Sequence, residues 1–118
     1  MSTMRNSVML IGRPGAEPEM KNASNNQKVA RFRLAVNEGR RNANNEWIEN
    51  TQWFSIVAFG NQADRVERVV HKGKQVAIEG SLRNNDWTDQ NGVRHSTTEI
   101  WISELFAIET EKQAQNQA

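Results

Sequence analysis

The chain has 118 residues, of which 36% are hydrophobic and 25% charged, enough for one compact domain with one core and too few for a second. Fifteen Lys and Arg stand against 14 Asp and Glu, so a net charge of +1 supplies no global attraction to polyanions, and binding to nucleic acid would need a local basic patch. The absence of cysteine excludes disulfides, thiol catalysis, iron-sulfur clusters and thiolate zinc sites, and no apolar run approaches the ~20 residues that cross a bilayer as a helix.

The N-terminal MSTMRNSVML lacks the apolar stretch of a secretory signal, since only Val8 to Ile11 is continuously apolar, and it reads as a mature cytoplasmic start. Asn6 to Gly12 is a short apolar strand, ended by the prolines and glycines of GRPGAEPEM. From Val29 to Asn37, Phe32, Leu34 and Val36 alternate with Arg31, Arg33 and Ala35, which predicts a strand with one buried face and both arginines on the other. Thr51 to Phe59 is a third strand, with Trp53, Ser55, Val57 and Phe59 of one parity and Phe54, Ile56 and Ala58 of the other. Asn61 to Val70 is the one predicted helix: Ala63, Val66, Val69 and Val70 recur at near-helical spacing, Asn61 is suited to the N-cap, and Gly73 stops the run. Lys74 to Asn84 and His95 to Ile108 are the last two strands, joined by the turn chemistry of NNDWTDQNG.

Three strands, a short helix and two strands predict an all-β fold, a five-stranded OB-fold Greek-key barrel in which the helix plugs one end between the third and fourth strands. A β-sandwich ranks second, because it usually needs more strands. The folded domain is expected to span residues 1–108, with 109–118 a polar, disordered tail. Phe32, Leu34, Val36, Ile56, Val76 and Ile78 are expected in or beside the core. In the last strand Glu99, Trp101, Ser103 and Leu105 share one face by simple alternation. If Ile100 and Ile102 fill the barrel, Trp101 and Leu105 point outward and need a cover, for which a second subunit is favoured over bound DNA.

Charge is unevenly spread. Residues 1–45 hold eight Lys or Arg against three Glu, a local +5, and the remainder carries −4. Trp47, Trp53 and Trp87 sit in the polar settings NNEWIEN, NTQWFSI and NNDWTDQ, where burial would be an odd use of an indole. Exposed bases of a single strand stack on such rings for roughly 1 to 3 kcal/mol each, while Arg and Lys follow the phosphates. The structural reading stays open beside it: Trp53 and Phe59 in the core, Trp47 and Trp87 capping loops. No enzymatic constellation stands up. Gly12, Gly15 and Gly73 fit no phosphate loop, His71 and His95 have no nucleophile partner and read as solvated, and the pairs Glu46/Glu49 and Asp86/Asp89 are ordinary acidic residues beside turns.

The segments VMLIGRPGAEPE, VARFRLAVNE, TQWFSIVAFGNQAD, KGKQVAIEGSLR and WTDQNGVRHSTTEI together, in this order from Val8 to about Ile108, resemble the bacterial single-stranded DNA-binding protein family. The resemblance implies a homotetrameric OB-fold, commonly a dimer of dimers, that wraps single-stranded DNA without catalysis or cofactor, in a cytoplasmic, nucleoid-associated setting of replication, recombination and repair. It puts Trp53, Phe59 and Trp87 on the family's base-stacking positions. Arg40 stands where a further stacking Trp is usual, with Trp47 a few residues on as a substitute ring, and Arg31, Arg33 and Arg40 complete the expected DNA-binding set. Relatives reach replication and repair enzymes through an acidic Pro-Phe tip; this sequence ends in EKQAQNQA, which argues against those partners. The alternatives are a tail-less dimeric OB-fold like primosomal replication protein N, an OB domain that binds proteins through its aromatics, and a metal-dependent nuclease.

Overall fold

A computed structural model describes residues 5–108, so the expected tail at 109–118 lies outside the described residues. Strand β1 is Val8–Pro14, β2 Glu19–Asn22, β3 Lys28–Arg41 and β4 Trp47–Phe59; helix α1 is Asn61–Val69; β5 is Val76–Thr88 and β6 Arg94–Ala107. The sheet order β1-β5-β6-β4-β3 returns to β1 through the pairs Arg13↔Ala35 and Pro14↔Leu34, which closes a five-stranded barrel. β4 and β6 join in parallel through Ile56↔Ile100 and Val57↔Trp101. The barrel is the expected OB-fold, with the helix between its third and fourth strands. The short β2, which sequence reasoning missed, lies outside the ring and pairs only with the start of β3. Its EMKN run has one apolar residue, too little to show a period.

Alternation sets the inside of the barrel. Ala30, Phe32, Leu34, Ile56, Ala58, Val76, Ile78, Ile100, Ile102 and Leu105 are buried in one cluster, with Val36 and Phe54 partly buried against it. All six predicted core residues are thus in the core or beside it. The helix lays Ala63 and Val66 over one end, and Val70 just beyond it is also fully buried. The residue that caps the helix is Gly60, at φ +59°, not Asn61, which is the first helical residue. The chain turns sharply off β4 at this point, and glycine adopts the left-handed conformation without a Cβ penalty. Lys28 Nζ ties the first turns of the helix to β3, bonding Asp64 at 2.9 Å and Glu67 at 2.6 Å. Those two carboxylates hold the Lys28 ammonium above its ordinary pKa, the Glu67 bond contributing most.

Alternation misplaces Leu105. The β5–β6 register runs Ile78↔Leu105 and Glu79↔Glu104 but then Gly80↔Ile102, so Ser103 is an extra residue on β6. This bulge reverses the parity of the strand. Leu105 therefore joins Ile100 and Ile102 inside, 1% exposed, rather than sharing an outward face with Trp101. Ser103 Oγ donates to the Glu79 carbonyl at 3.1 Å, and Gln62 and Arg65 of the helix donate to the Ser103 and Leu105 carbonyls, so the bulge is fastened from both sides.

Two hairpins extend further than expected. β3 and β4 stay paired from Val29↔Phe59 to Arg41↔Trp47, and β5 and β6 from Val76↔Ala107 to Thr88↔Arg94. NNDWT is thus strand, and the turn is confined to Asp89 through Val93. Asp89 Oδ1 accepts from the Asn91 and Val93 amides at 2.9 and 3.0 Å, and its other oxygen bonds His95 at 2.9 Å. The His95 bond first, then the amides, hold the Asp89 carboxyl below its usual value. Asp89 is the keystone of this turn rather than an idle acid beside it.

Candidate nucleic-acid interface

Directly paired residues in a ladder point to the same side, so the register alone decides which side chains share a surface. On β3 and β4 the pairs Arg31↔Val57, Arg33↔Ser55, Ala35↔Trp53 and Arg41↔Trp47 lie on the outside of the barrel. The parallel pair Val57↔Trp101 carries that face onto β6, and Ser81↔Trp101, Arg83↔Glu99 and Trp87↔His95 carry it onto β5. One continuous outer face across β3, β4, β6 and β5 therefore holds Trp47, Trp53, Phe59, Trp87, Arg31 and Arg33. Arg40 is the exception. It pairs with Ile48 on the other side of the ribbon, the side that farther along faces the core, so the structure does not bring it to this surface.

Trp53 is 49% exposed, and a Cβ on Gly15 would fall 2.8 Å from its Cζ3, so the glycine lets the loop after β1 lie against one edge of the indole. Arg33 stands over the ring with its guanidinium carbon 5.8 Å from the centroid. Trp47 lies six residues up β4, about 20 Å away along a strand, is 60% exposed, and crosses Gly39, where a Cβ would come 1.9 Å from its Cζ2. Trp87 is 46% exposed and stacks on His95, centroids 4.3 Å apart at 20°. His95 is not the solvated histidine the sequence suggested: it is half-buried between that ring and Asp89. Phe59 meets Trp101 edge-on at 4.7 Å and 67°, and Arg83 lies over Trp101 at 4.5 Å. Neither Trp53 nor Trp87 is a core residue; Phe59 is half-buried.

An open groove of about 680 Å³ runs beside Trp53, lined by Gly15, Glu17, Arg31, Arg33, Val57 and Glu99 among others. Arg31 reaches across β4 to Glu99 at 2.5 Å, and Val57 beneath the bridge is only 1% exposed. The loop wall is pinned from outside. Glu17 accepts the Lys72 amide at 2.8 Å and contacts His71 Nδ1 at 3.2 Å, and the Lys72 amide before His71 keeps its carboxyl below the usual range. The surface offers half-exposed rings for stacking and guanidinium groups for anions. Among the described residues no cluster of three or more His, Asp or Glu could hold a metal ion, and no helix is long and apolar enough to cross a membrane.

Sequence reasoning missed Arg83 and His95 as members of this face, and Glu99 as the partner of Arg31; it turned Trp101 outward but favoured a second subunit over DNA as its cover. The parity of β6 before its bulge was readable, but the parallel join that aligns β6 with β4 was not.

The model of the Single-strand binding protein family matches residues 5–108. Single-stranded DNA-binding protein 1 of Chlorobaculum tepidum is 39% identical over 101 residues, which are 85% of this chain and 62% of that protein, so the chain spans about three-fifths of that relative's length. The structure described as Plasmodium falciparum SSB complex with ssDNA aligns with a TM-score of 0.82 and 36% identity, covering 92% of this chain and 99% of that one.

Proposed function

Because the chain belongs to the Single-strand binding protein family, we propose that it binds single-stranded DNA with little sequence preference, as a non-catalytic binder in replication, recombination and repair in the cytoplasm. The observation that carries this reading is the single outer face with Trp53, Phe59 and Trp87 spread over β4 and β5. Rings at such spacing serve successive unstacked bases of a flexible strand better than the closed stack of a duplex. Arg33 beside Trp53 supplies charge next to a stacking position. Trp47 extends the same face along the β3–β4 arm, whereas Arg40, on the reverse side, would meet DNA only if the strand wraps the arm.

The test is titration of intrinsic tryptophan fluorescence with poly-dT over a range of salt. Quenching that weakens as salt rises is expected, because cationic side chains displace counterions from phosphates. Duplex DNA should compete poorly. Absence of quenching at low salt would reject the reading.

We also propose assembly into a homotetramer, through a different surface from the one simple alternation suggested. Leu105 is inside the barrel and Trp101 is covered within its own chain by Phe59 and Arg83. Among the apolar residues left exposed are Met9 at 76%, Ile11 at 55% and Phe106 at 54%. The register Ile11↔Ala77↔Phe106 puts two of them in one row across β1, β5 and β6, with Met9 beside Ile11 on the same face of β1. A self-complementary patch of this kind suits a symmetric contact between copies. Light scattering should return four times the chain mass in dilute solution, and Ile11→Glu should lower it. A monomeric wild-type chain would remove the assembly proposal and leave the DNA-binding one standing.

A further inference from the structure

The arginines of the outer face are not equivalent. Arg31 is bound to Glu99, whose side chain is only 13% exposed, and the cross-strand pair Glu19↔Arg31 sets a second carboxylate beside it. A phosphate arriving at Arg31 would have to displace a largely buried carboxylate and then sit next to it, which opposes binding twice: the Glu99 charge loses its partner, and two anions are brought together. Arg83 is differently placed. It is exposed, and although Glu99 lies directly across the β5–β6 ladder from it, that carboxylate is engaged by Arg31. Among the described residues the Arg83 guanidinium has neither an ion-pair nor a hydrogen-bond partner, and it lies over the indole of Trp101 at 4.5 Å.

That contact does what a phosphate site needs. Held over an aromatic ring, a guanidinium without other partners offers its N–H groups to an anion and has already given up much of the side-chain freedom that ordering would cost. Trp101 is itself held edge-on against Phe59. Its Nε1 is buried with no acceptor among the described residues. What the ring contributes is aromatic contact, a T-shaped one with Phe59 and its face beneath Arg83.

Resting on the single-strand reading above, we propose that Arg83, positioned by Trp101, is a phosphate-contacting residue of the bound strand, and that Glu99 withholds Arg31 from that role. A strand stacked on Phe59 would then have its backbone gripped on the β5 side of the ring rather than the β3 side. Arg31 is a strap over Val57, and Glu99 is the residue that sets how many cations this face offers.

The experiment is the anisotropy of a labelled oligo-dT across a salt series, with thermal unfolding as a check on each variant. Arg83→Met is expected to weaken binding about tenfold at low salt and to flatten the slope of log K against log salt by about 0.7, one phosphate's worth on a single strand. Trp101→Leu should weaken binding in the same direction, and Trp101→Phe should restore it. Glu99→Gln should strengthen binding and steepen the slope by about 0.7, and adding Arg31→Met to it should return the slope to the wild-type value. An unchanged slope in Arg83→Met, or in Glu99→Gln, overturns the assignment even though the wild type binds. A wild type that fails to bind oligo-dT overturns both this inference and the function it rests on.

Discussion

With Trp53 and Trp87 both replaced by alanine, affinity for oligo-dT is expected to fall by about 2 to 6 kcal/mol, the sum of two stacking contributions of roughly 1 to 3 kcal/mol each. The two rings stand on different strands, with separate partners, Gly15 and Arg33 for one and His95 for the other. Additivity is therefore the right starting assumption. Each ring is about half exposed, so the substitutions also remove some packing. Stability should nevertheless suffer less than binding, because neither ring belongs to the buried cluster. Anisotropy with a labelled strand and thermal unfolding by circular dichroism separate the two effects. If the double variant unfolds readily while its folded fraction binds as the wild type does, the rings are structural and the stacking assignment fails.

Gly80→Ala is expected to cost about 3 kcal/mol of stability or more, toward the upper end of overpacking penalties. A Cβ at this position would stand 2.1 Å from the Trp101 carbonyl oxygen and 2.9 Å from its carbonyl carbon. Both are backbone atoms of the partner strand, at the bulge, so no side-chain rotation can make room. Gly92→Ala is the control. Unlike Gly80 it has a positive φ, but nothing lies within 4 Å of its Cβ, so its cost should stay near the ~1 to 2 kcal/mol of a left-handed residue. Chemical denaturation of both variants decides the matter, and equal losses would contradict the steric account.

Most of the barrel is legible in the chain because burial imposes a period. Phe32, Leu34, Val76 and Ile78 alternate with polar or small residues, and each lies inside. The signal fades where strands leave the core. Asn84 to Thr88 pair with Arg94 to Thr98 in open solvent, so composition there is free to look like a turn while the backbone remains a ladder. Leu105 was misassigned because one extra residue reverses parity and leaves no mark in composition. The candidate face was legible in kind and less so in membership. Trp53 and Trp87 are exposed rings in polar surroundings, as expected, but Arg40 differs from Arg41 by one position and so faces the other way. Arg31 had the right parity, yet its partner Glu99 is 68 residues away, and only the join of β4 to β6 brings them together.

The barrel is closed by surprisingly few backbone pairs. Each of the two long hairpins is a ladder of 13 pairs between neighbouring stretches of chain, while the β1–β3 and β4–β6 joins have two pairs each. Those few pairs include Leu34, Ile56 and Ile100, three of the largest fully or nearly fully buried side chains. Hairpins of this kind need only local loop closure, whereas uniting residue 56 with residue 100 must overcome the entropy of a long intervening segment. The hydrogen bonds gained there are too few to offset it. Burial of Leu34, Ile56 and Ile100 supplies the difference, so the topology makes folding a meeting of two ribbons whose rate is governed by contact order and apolar collapse.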